Sequence, residues 1–130
     1  MPRPRLRVLI ADDHAGYREG LVRAVAADPG LELVGVAVGP EDAVRLARTL
    51  VPDVVLLDVR MPGQGGLALC RTITSDGADP PPRVVLIAAS PGDDFDLRAR
   101  EAGAVAGVGK ETDRAELMRL LRGDTDGGVD

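Results

Sequence analysis

The feature that most constrains the fold of this chain is the stretch Val54-Val55-Leu56-Leu57-Asp58, four apolar residues that lead directly into a carboxylate. A run this short and this apolar, with two β-branched residues, is typical of a strand buried on both faces, as in a parallel sheet. Asp58 then lies at the carboxyl end of the strand, where open α/β sheets bind their ligands. Residues 61–66 include one Pro and three Gly and predict a loop. Asp58 is therefore a candidate nucleophile or metal ligand, or else it only caps the next turn.

Length and composition indicate a single intracellular domain. The chain has 130 residues, and 45% of them are apolar, which is enough for a core without disulfides. The single cysteine, Cys70, fits a reducing compartment and is expected in the core. No apolar run reaches the roughly 18 residues of a membrane span, and the first run is too short for a signal peptide. The net charge of −5 argues against nucleic-acid binding by this piece itself. We therefore expect a cytoplasmic protein that does not contact a membrane.

Five predicted strands alternate with five predicted helices. The strands are expected at residues 6–11, 31–37, 54–58, 83–89 and 104–109. Each is followed by a segment whose apolar residues recur on one helical face, as Tyr17, Leu21 and Val25 do in the first. We expect the segment Glu111-Thr112-Asp113 to cap the last helix. Strict alternation requires a parallel sheet with right-handed crossovers and helices on both faces, so we predict a single doubly wound, five-stranded α/β domain.

Charged residues follow three of the predicted strands. Asp12 and Asp13 follow the first strand, Asp58 ends the third, and Lys110 follows the fifth. Three carboxylates at one sheet edge would raise one another's pKa unless a cation joined them, and oxygen ligands with room for water suit Mg²⁺. Lys110 is the only lysine beside fifteen arginines, and it supplies a compact charge on a flexible stem. An ordinary salt-bridged edge would explain any one of these residues, but the set together predicts a magnesium site.

These residues resemble the receiver domains of two-component response regulators, as do Met61-Pro62-Gly63 after strand three and Ala102-Gly103-Ala104 before strand five. The resemblance implies a flavodoxin-like (βα)5 fold with strand order 2-1-3-4-5. The receiver domain is then expected over residues 1–122, with a flexible tail or the start of a linker over residues 123–130.

The segment Lys110-Glu111-Thr112-Asp113, in which no Pro follows the lysine, is similar to the NarL-type subfamily. Members of that subfamily usually carry a C-terminal helix-turn-helix domain, which is absent from these 130 residues. The resemblance therefore implies contact with DNA only through such an output domain. It also implies at most a weak homodimer, and we expect mostly monomer.

The resemblance assigns a role to each residue of the set. Asp58 is the phosphoacceptor and takes a phosphoryl group from the phosphohistidine of a sensor histidine kinase or from a small acyl phosphate. Asp13 binds Mg²⁺ directly, and Asp12 helps mainly through water. Asp58 and the backbone carbonyl of Arg60 complete the metal ligands, and Lys110 contacts the phosphoryl oxygens. This set agrees with the needs of phosphoryl transfer, which are an aligned nucleophile, a metal and a cation.

Two positions depart from the family pattern. The family has Thr or Ser at the end of strand four, where this chain has Ala88, and an aromatic residue in strand five, where it has Gly107. Ser90 would lie roughly 6–7 Å further along the strand, too far to replace the missing hydroxyl. His14 is expected to be only a helix-start or loop residue. We therefore expect intact acceptor chemistry and a small conformational response.

Three functions compete at this point. The first is a phosphorylatable receiver that controls a partner or an output domain in transcription regulation. The second is an atypical receiver that acts by constitutive or ligand-driven interaction without productive phosphorylation. The third is a flavodoxin-like or phosphatase-like enzyme. The segment Asp58-Val59-Arg60 argues against it, because it lacks the second carboxylate of a DxD motif. The lack of a phosphate-binding Gly loop after strand one also argues against it. We predict the first function and no enzymatic activity.

Overall fold

The computed structural model describes residues 4–60 and 65–124, and strands and helices alternate through both ranges. Residues 61–64 of the predicted loop at 61–66, and residues 125–130 of the predicted tail at 123–130, lie outside the described residues. Gly66, the last residue of the predicted loop, begins the third helix. The elements, in chain order, are β1 Leu6–Ala11, α1 Ala15–Ala27, β2 Leu31–Ala37, α2 Pro40–Leu50, β3 Val54–Asp58, α3 Gly66–Thr74, β4 Arg83–Ala88, α4 Phe95–Glu101, β5 Ala106–Gly109 and α5 Arg114–Arg122.

The five strands form one parallel sheet in the order β2-β1-β3-β4-β5, which confirms the predicted fold and strand order. β3 lies at the centre of the sheet, where Val54 pairs with Val8 of β1 and Asp58 pairs with Ile87 of β4. All five residues of β3 are buried. The apolar run therefore forms a strand covered on both faces, and its terminal carboxylate lies at the carboxyl edge of the sheet.

The core consists of two layers, because successive strand residues point to opposite faces of the sheet. On one face Leu57 of β3 packs with residues of α2, α3 and α4. On the other face Leu56 packs with residues of α1 and α5. Cys70 of α3 belongs to the first layer as expected, and desolvation raises the pKa of its thiol to about 11. This thiol is therefore protonated and unreactive at neutral pH.

The structure corrects some predicted element ends. β5 begins at Ala106 instead of residue 104, because Gly103 takes a φ of 102° and the N–H of Ala104 donates to the carbonyl of Ala99. Residues 103 and 104 therefore close α4 and do not extend the strand. Asp113 is the N-cap residue of α5, within the segment predicted to cap that helix, but its side chain makes no cap hydrogen bond.

Two arginines at the amino-terminal edge of the sheet fix helix ends. Arg7 of β1 donates from Nη1 to the carbonyls of Leu50 and Val51 at the end of α2. Arg83 of β4 donates in the same way to the last turn of α5. A guanidinium satisfies the free carbonyls at a helix C-terminus and complements the helix dipole there. The opposite edge of the sheet carries the charged residues that follow β1, β3 and β5.

Candidate functional site

The carboxyl ends of β1, β3 and β5 bring the predicted charged residues together. Lys110 reaches back from the end of β5 and places its Nζ 3.3 Å from Asp58 Oδ2 and 3.2 Å from Asp12 Oδ2. Asp13 joins them, and one oxygen of each of the three carboxylates lies within 4.8 Å of the others. The strand order alone explains this arrangement, since β1 and β3 are neighbours and β5 is two strands from β3.

The cluster has more negative than positive charge, and most of that charge is buried. Asp12 and Asp58 are each 1% exposed, and the side chain of Lys110 is 14% exposed. Charges removed from water are stable only when they are paired and hydrogen-bonded. The buried atoms Asp12 Oδ2 and Asp13 Oδ1 accept no hydrogen bond, although Lys110 forms an ion pair with the former. One ammonium thus faces three carboxylates, and this donor set fits a hard divalent cation such as Mg²⁺.

Local backbone hydrogen bonds orient the two buried carboxylates. Asp58 Oδ1 accepts the N–H of Arg60 at 3.0 Å, and Asp12 Oδ1 accepts the N–H of His14 at 2.7 Å. Both contacts join residue i to residue i+2, the pattern of an Asx turn. Each carboxylate therefore keeps one oxygen for its turn and directs the other toward Lys110. Arg60 itself is exposed in the loop after β3.

His14 precedes the first helix as predicted and also contacts the charged cluster. It does occupy the residue before α1, as expected. Its ring also lies over the cluster, and its Nδ1 is 3.2 Å from Lys110 Nζ. The same nitrogen lies 3.3, 3.4 and 3.5 Å from oxygens of Asp58, Asp13 and Asp12. The available signal in the sequence was its position directly after the two aspartates at a strand end.

Tyr17 is a second neighbour, which its helical spacing predicts only as part of the apolar face of α1. Its ring centroid is 4.6 Å from Lys110 Nζ and 5.2 Å from Cζ of Arg114. Both distances are within the range of cation–π attraction. The Tyr17 hydroxyl is buried and has no hydrogen-bond partner, and desolvation raises the pKa of the phenol. Tyr17 therefore supports the ammonium of Lys110 from the α1 side.

The two atypical positions lie on β4 and β5 as predicted. Ala88 ends β4 one residue after Ile87, the register partner of Asp58, and its carbonyl accepts the N–H of Lys110 at 2.8 Å. Ser90 is exposed beyond the strand. At Gly107 a Cβ atom would lie 2.7 Å from Cβ of Ala99 and 3.1 Å from two ring carbons of Phe95. The space next to Gly107 is therefore filled by a phenylalanine from α4.

α4 is also tied to β5 by a hydrogen bond. Asp96 Oδ1 accepts the N–H of Gly107 at 2.9 Å, and this bond lowers the pKa of the carboxyl group. Arg100, one turn further along α4, pairs with the same carboxylate at 2.9 Å. β5 is one of the two edge strands of the sheet, and Asp96 covers one of its free N–H groups.

None of the helices in the described parts of the chain is long and apolar enough to cross a membrane.

Comparison with known proteins gives a consistent family. The family model for the response regulator receiver domain matches residues 8–122. The response regulator GacA of Pseudomonas aeruginosa is 39% identical over 117 residues, which cover 90% of this chain and 54% of that protein. A probable transcriptional regulatory protein NarL of Mycobacterium tuberculosis is 35% identical over 121 residues, which cover 92% of this chain and 55% of that protein. The chain thus spans about half the length of these curated relatives.

Solved structures agree with the sequence relatives. The signal receiver domain of the putative response regulator NarL from Mycobacterium tuberculosis superposes with a TM-score of 0.84 at 34% identity, covering 92% of this chain and 94% of that one. A LuxR-family two-component response regulator from Aurantimonas superposes with a TM-score of 0.82 at 35% identity, covering 92% and 87%. Fold, charged cluster and relatives lead to one conclusion: this chain belongs to the response regulator receiver domain family, with NarL- and LuxR-type regulators among its relatives.

Proposed function

We propose that this receiver domain accepts a phosphoryl group on Asp58 in a reaction that depends on Mg²⁺. The observation that carries the proposal is the ammonium of Lys110, held 3.3 Å from Asp58 Oδ2 at the mouth of a buried strand. Receiver domains are signalling modules, and we propose that this one has no enzymatic activity of its own. Its chemistry is then a single transfer to its own side chain.

In the transfer, a carboxylate oxygen of Asp58 attacks phosphorus and forms a new P–O bond. The P–N bond of a kinase phosphohistidine breaks, or the P–O bond to the acyl group of a small acyl phosphate, and its electron pair leaves with the imidazole or the carboxylate. Lys110 offsets the charge on the phosphoryl oxygens. Positioning and charge stabilisation are the main demands of phosphoryl transfer, and Asp58 and Lys110 are already in contact.

The metal would be held by Asp13 directly, by Asp12 mainly through water, by Asp58 and by the backbone carbonyl of Arg60. Support comes from the buried oxygens of Asp12 and Asp13 that accept no hydrogen bond. When bound, Mg²⁺ supplies positive charge that offsets the repulsion between these carboxylates and a phosphoryl group.

The partners follow from the same proposal. A sensor histidine kinase supplies the phosphoryl group in the cytoplasm, and no membrane contact is needed. The output is transcription regulation through a DNA-binding domain in a longer protein, which agrees with relatives of which this chain covers only 54–55%. The domain bounds, 1–122 for the receiver and 123–130 for a tail or linker, belong to this proposal. α5 ends at Arg122, in agreement with them.

Incubation with acetyl phosphate and Mg²⁺, followed by intact-mass measurement, tests the proposal. The parent should gain one phosphoryl group that hydroxylamine removes, as it does acyl phosphates. Asp58→Asn should gain none, because an amide is a poor nucleophile. Asp94→Asn, which removes an exposed carboxylate outside the cluster, should gain the group as the parent does. An unchanged parent mass at saturating donor would instead favour a receiver that acts by constitutive or ligand-driven interaction.

A further inference from the structure

The imidazole of His14 adds a nitrogen donor to a cluster that otherwise offers oxygen. Nδ1 of His14 and one oxygen each of Asp12, Asp13 and Asp58 all lie within 4.8 Å of one another. The distances from Nδ1 to the three carboxylates are 3.3–3.5 Å. No other residue of the predicted site carries a nitrogen lone pair, since the ammonium of Lys110 is only a donor.

These separations are those of ligands around one ion. Donor atoms bound at about 2.0–2.2 Å to a common metal lie roughly 3.0–3.4 Å apart at neighbouring octahedral or tetrahedral positions. The distances from Nδ1 to the three carboxylates are therefore close to those between neighbouring ligands of one ion. Lys110 Nζ now lies 3.2 Å from the same nitrogen, and a metal bound to Nδ1 would replace that contact.

Buried polar atoms independently indicate a ligand at this position. Asp12 is 1% exposed, yet its Oδ2 accepts no hydrogen bond and has only the ion pair with Lys110. Oδ1 of Asp13 is buried and also accepts none. Unsatisfied buried oxygens are rare and call for an unseen partner. A cation between Asp13 and the exposed ring of His14 would satisfy Asp13 Oδ1, which lies 3.4 Å from Nδ1.

We infer that His14 is a protein ligand of this metal site and that it gives the site a preference for first-row transition ions such as Zn²⁺ over Mg²⁺. The inference rests on the metal site of the proposed function and changes its ligand set. Imidazole binds Zn²⁺, Ni²⁺ and Cu²⁺ well, whereas Mg²⁺ takes oxygen ligands and keeps several waters. Removal of the His14 side chain should therefore weaken the binding of transition ions much more than the binding of Mg²⁺.

Two measurements on the 130-residue chain test the inference. Calorimetric titration should show that His14→Ala weakens Zn²⁺ binding by about tenfold or more, whereas Mg²⁺ binding changes little. His14→Phe, which keeps a ring without nitrogen, should behave like His14→Ala. Glu32→Gln, which removes an exposed acid at the amino-terminal end of β2, should bind both ions as the parent does.

Electron spin echo spectroscopy of the Mn²⁺ complex provides the direct readout. The parent should show coupling to a coordinated nitrogen, and both His14 variants should lack it. His14 is 60% exposed, so these variants should fold, and their amide spectra check this. Equal Zn²⁺ affinity in parent and variants, or no nitrogen coupling in the parent, would overturn the inference.

The acetyl phosphate reaction separates this inference from the proposed function. If His14→Ala gains its phosphoryl group with Mg²⁺ and loses only Zn²⁺ affinity and nitrogen coupling, both statements hold. If the parent is phosphorylated but shows no nitrogen coupling, the role of His14 alone is overturned. If the parent binds no ion and gains no phosphoryl group, the proposed function fails and takes this inference with it.

Discussion

Asp13 is the carboxylate through which metal binding should most directly affect stability. Its Oδ1 is buried without a hydrogen bond, so a bound cation removes an unfavourable feature of the native state. A ligand at ten times its dissociation constant stabilises a protein by about 1.4 kcal/mol. We expect Mg²⁺ to raise the melting temperature of the parent modestly and to have a much smaller effect on Asp13→Asn. Asp94→Asn serves as the control, and an equal response in Asp13→Asn would place the metal elsewhere.

Tyr17 offers a residue-level measurement because it is the only tyrosine in the chain. Burial raises its pKa above the ordinary value of 10.0, and Arg114 partly opposes the shift. Ultraviolet titration should therefore show phenolate forming above pH 10.0, and later still in Arg114→Gln. A phenol with a raised pKa stabilises the fold below its unfolded pKa, and this contribution is lost as the pH rises through the folded pKa. Titration at or below the ordinary value would contradict the buried position of this hydroxyl.

The charged residues of the site could be predicted, whereas two of their neighbours could not. Asp12, Asp58 and Lys110 follow strands, so the topology alone brings them to one edge. His14 and Tyr17 reach the same edge through the direction of their side chains at the start of α1. Side-chain direction depends on how α1 packs on the sheet, which is a tertiary property that periodicity does not encode.

At the scale of elements, α4 and β5 pack closely because residue 107 is a glycine. A Cβ there would lie 2.7 Å from Cβ of Ala99, so a larger residue must push α4 away from the sheet. Overpacking of this kind costs about 1–3 kcal/mol. We expect Gly107→Ala to lower the urea midpoint of unfolding.

Gly16→Ala is the matched control for that change. Gly16 lies in α1 with no atom within 4 Å of its added Cβ, and the same substitution there should stabilise by about 0.5–1 kcal/mol. If both variants shift the midpoint in the same direction, the contact between α4 and β5 is less tight than the structure indicates.

The end of β4 bears on how phosphorylation could be transmitted. Ala88 lacks the hydroxyl that would contact a phosphoryl group, and a charge-assisted hydrogen bond contributes about 1.5–3 kcal/mol. Shifting the ratio of two conformations from 1:99 to 99:1 needs about 5.5 kcal/mol of difference in their contacts with the ligand. Asp96 and Phe95 additionally hold α4 against Gly107. We therefore expect beryllofluoride with Mg²⁺ to change the amide shifts of residues 89–110 only slightly.

Restoring the hydroxyl tests that expectation. Ala88→Thr should enlarge the amide shift changes that beryllofluoride causes, because residue 88 follows Ile87, the register partner of Asp58, at the same sheet edge. Adding Gly107→Tyr would not test the effect of the family's aromatic residue alone, because Phe95 and Ala99 already fill the space next to residue 107. Large changes through residues 89–110 in the parent, or an Ala88→Thr variant that responds no more than the parent, would contradict the idea.

At the scale of the whole molecule, the hydrophobic pattern predicted the order and type of all ten elements. The strand order 2-1-3-4-5 came from the family resemblance, because alternation requires a parallel sheet but does not choose among its arrangements. Element ends were less predictable where backbone contacts decide them. Ala104 is bonded to α4 and not to β4, and Gly103, which ends the helix in the left-handed conformation, was the available sequence signal.

The surface of the molecule predicts its assembly. Large apolar side chains exposed among the described residues are Val38, Val51 and Leu97, and they lie after β2, after α2 and within α4. β2 is one edge strand of the sheet, and α4 packs beside the other edge, so Val38 and Leu97 do not form one patch. A stable interface usually buries more than about 1,000 Å² with an apolar centre. We therefore expect a monomer in sedimentation velocity at micromolar concentration, with the net charge of −5 adding repulsion between copies. A tight dimer without phosphate that persists at high salt would contradict this and would favour constitutive assembly over phosphorylation as the basis of signalling.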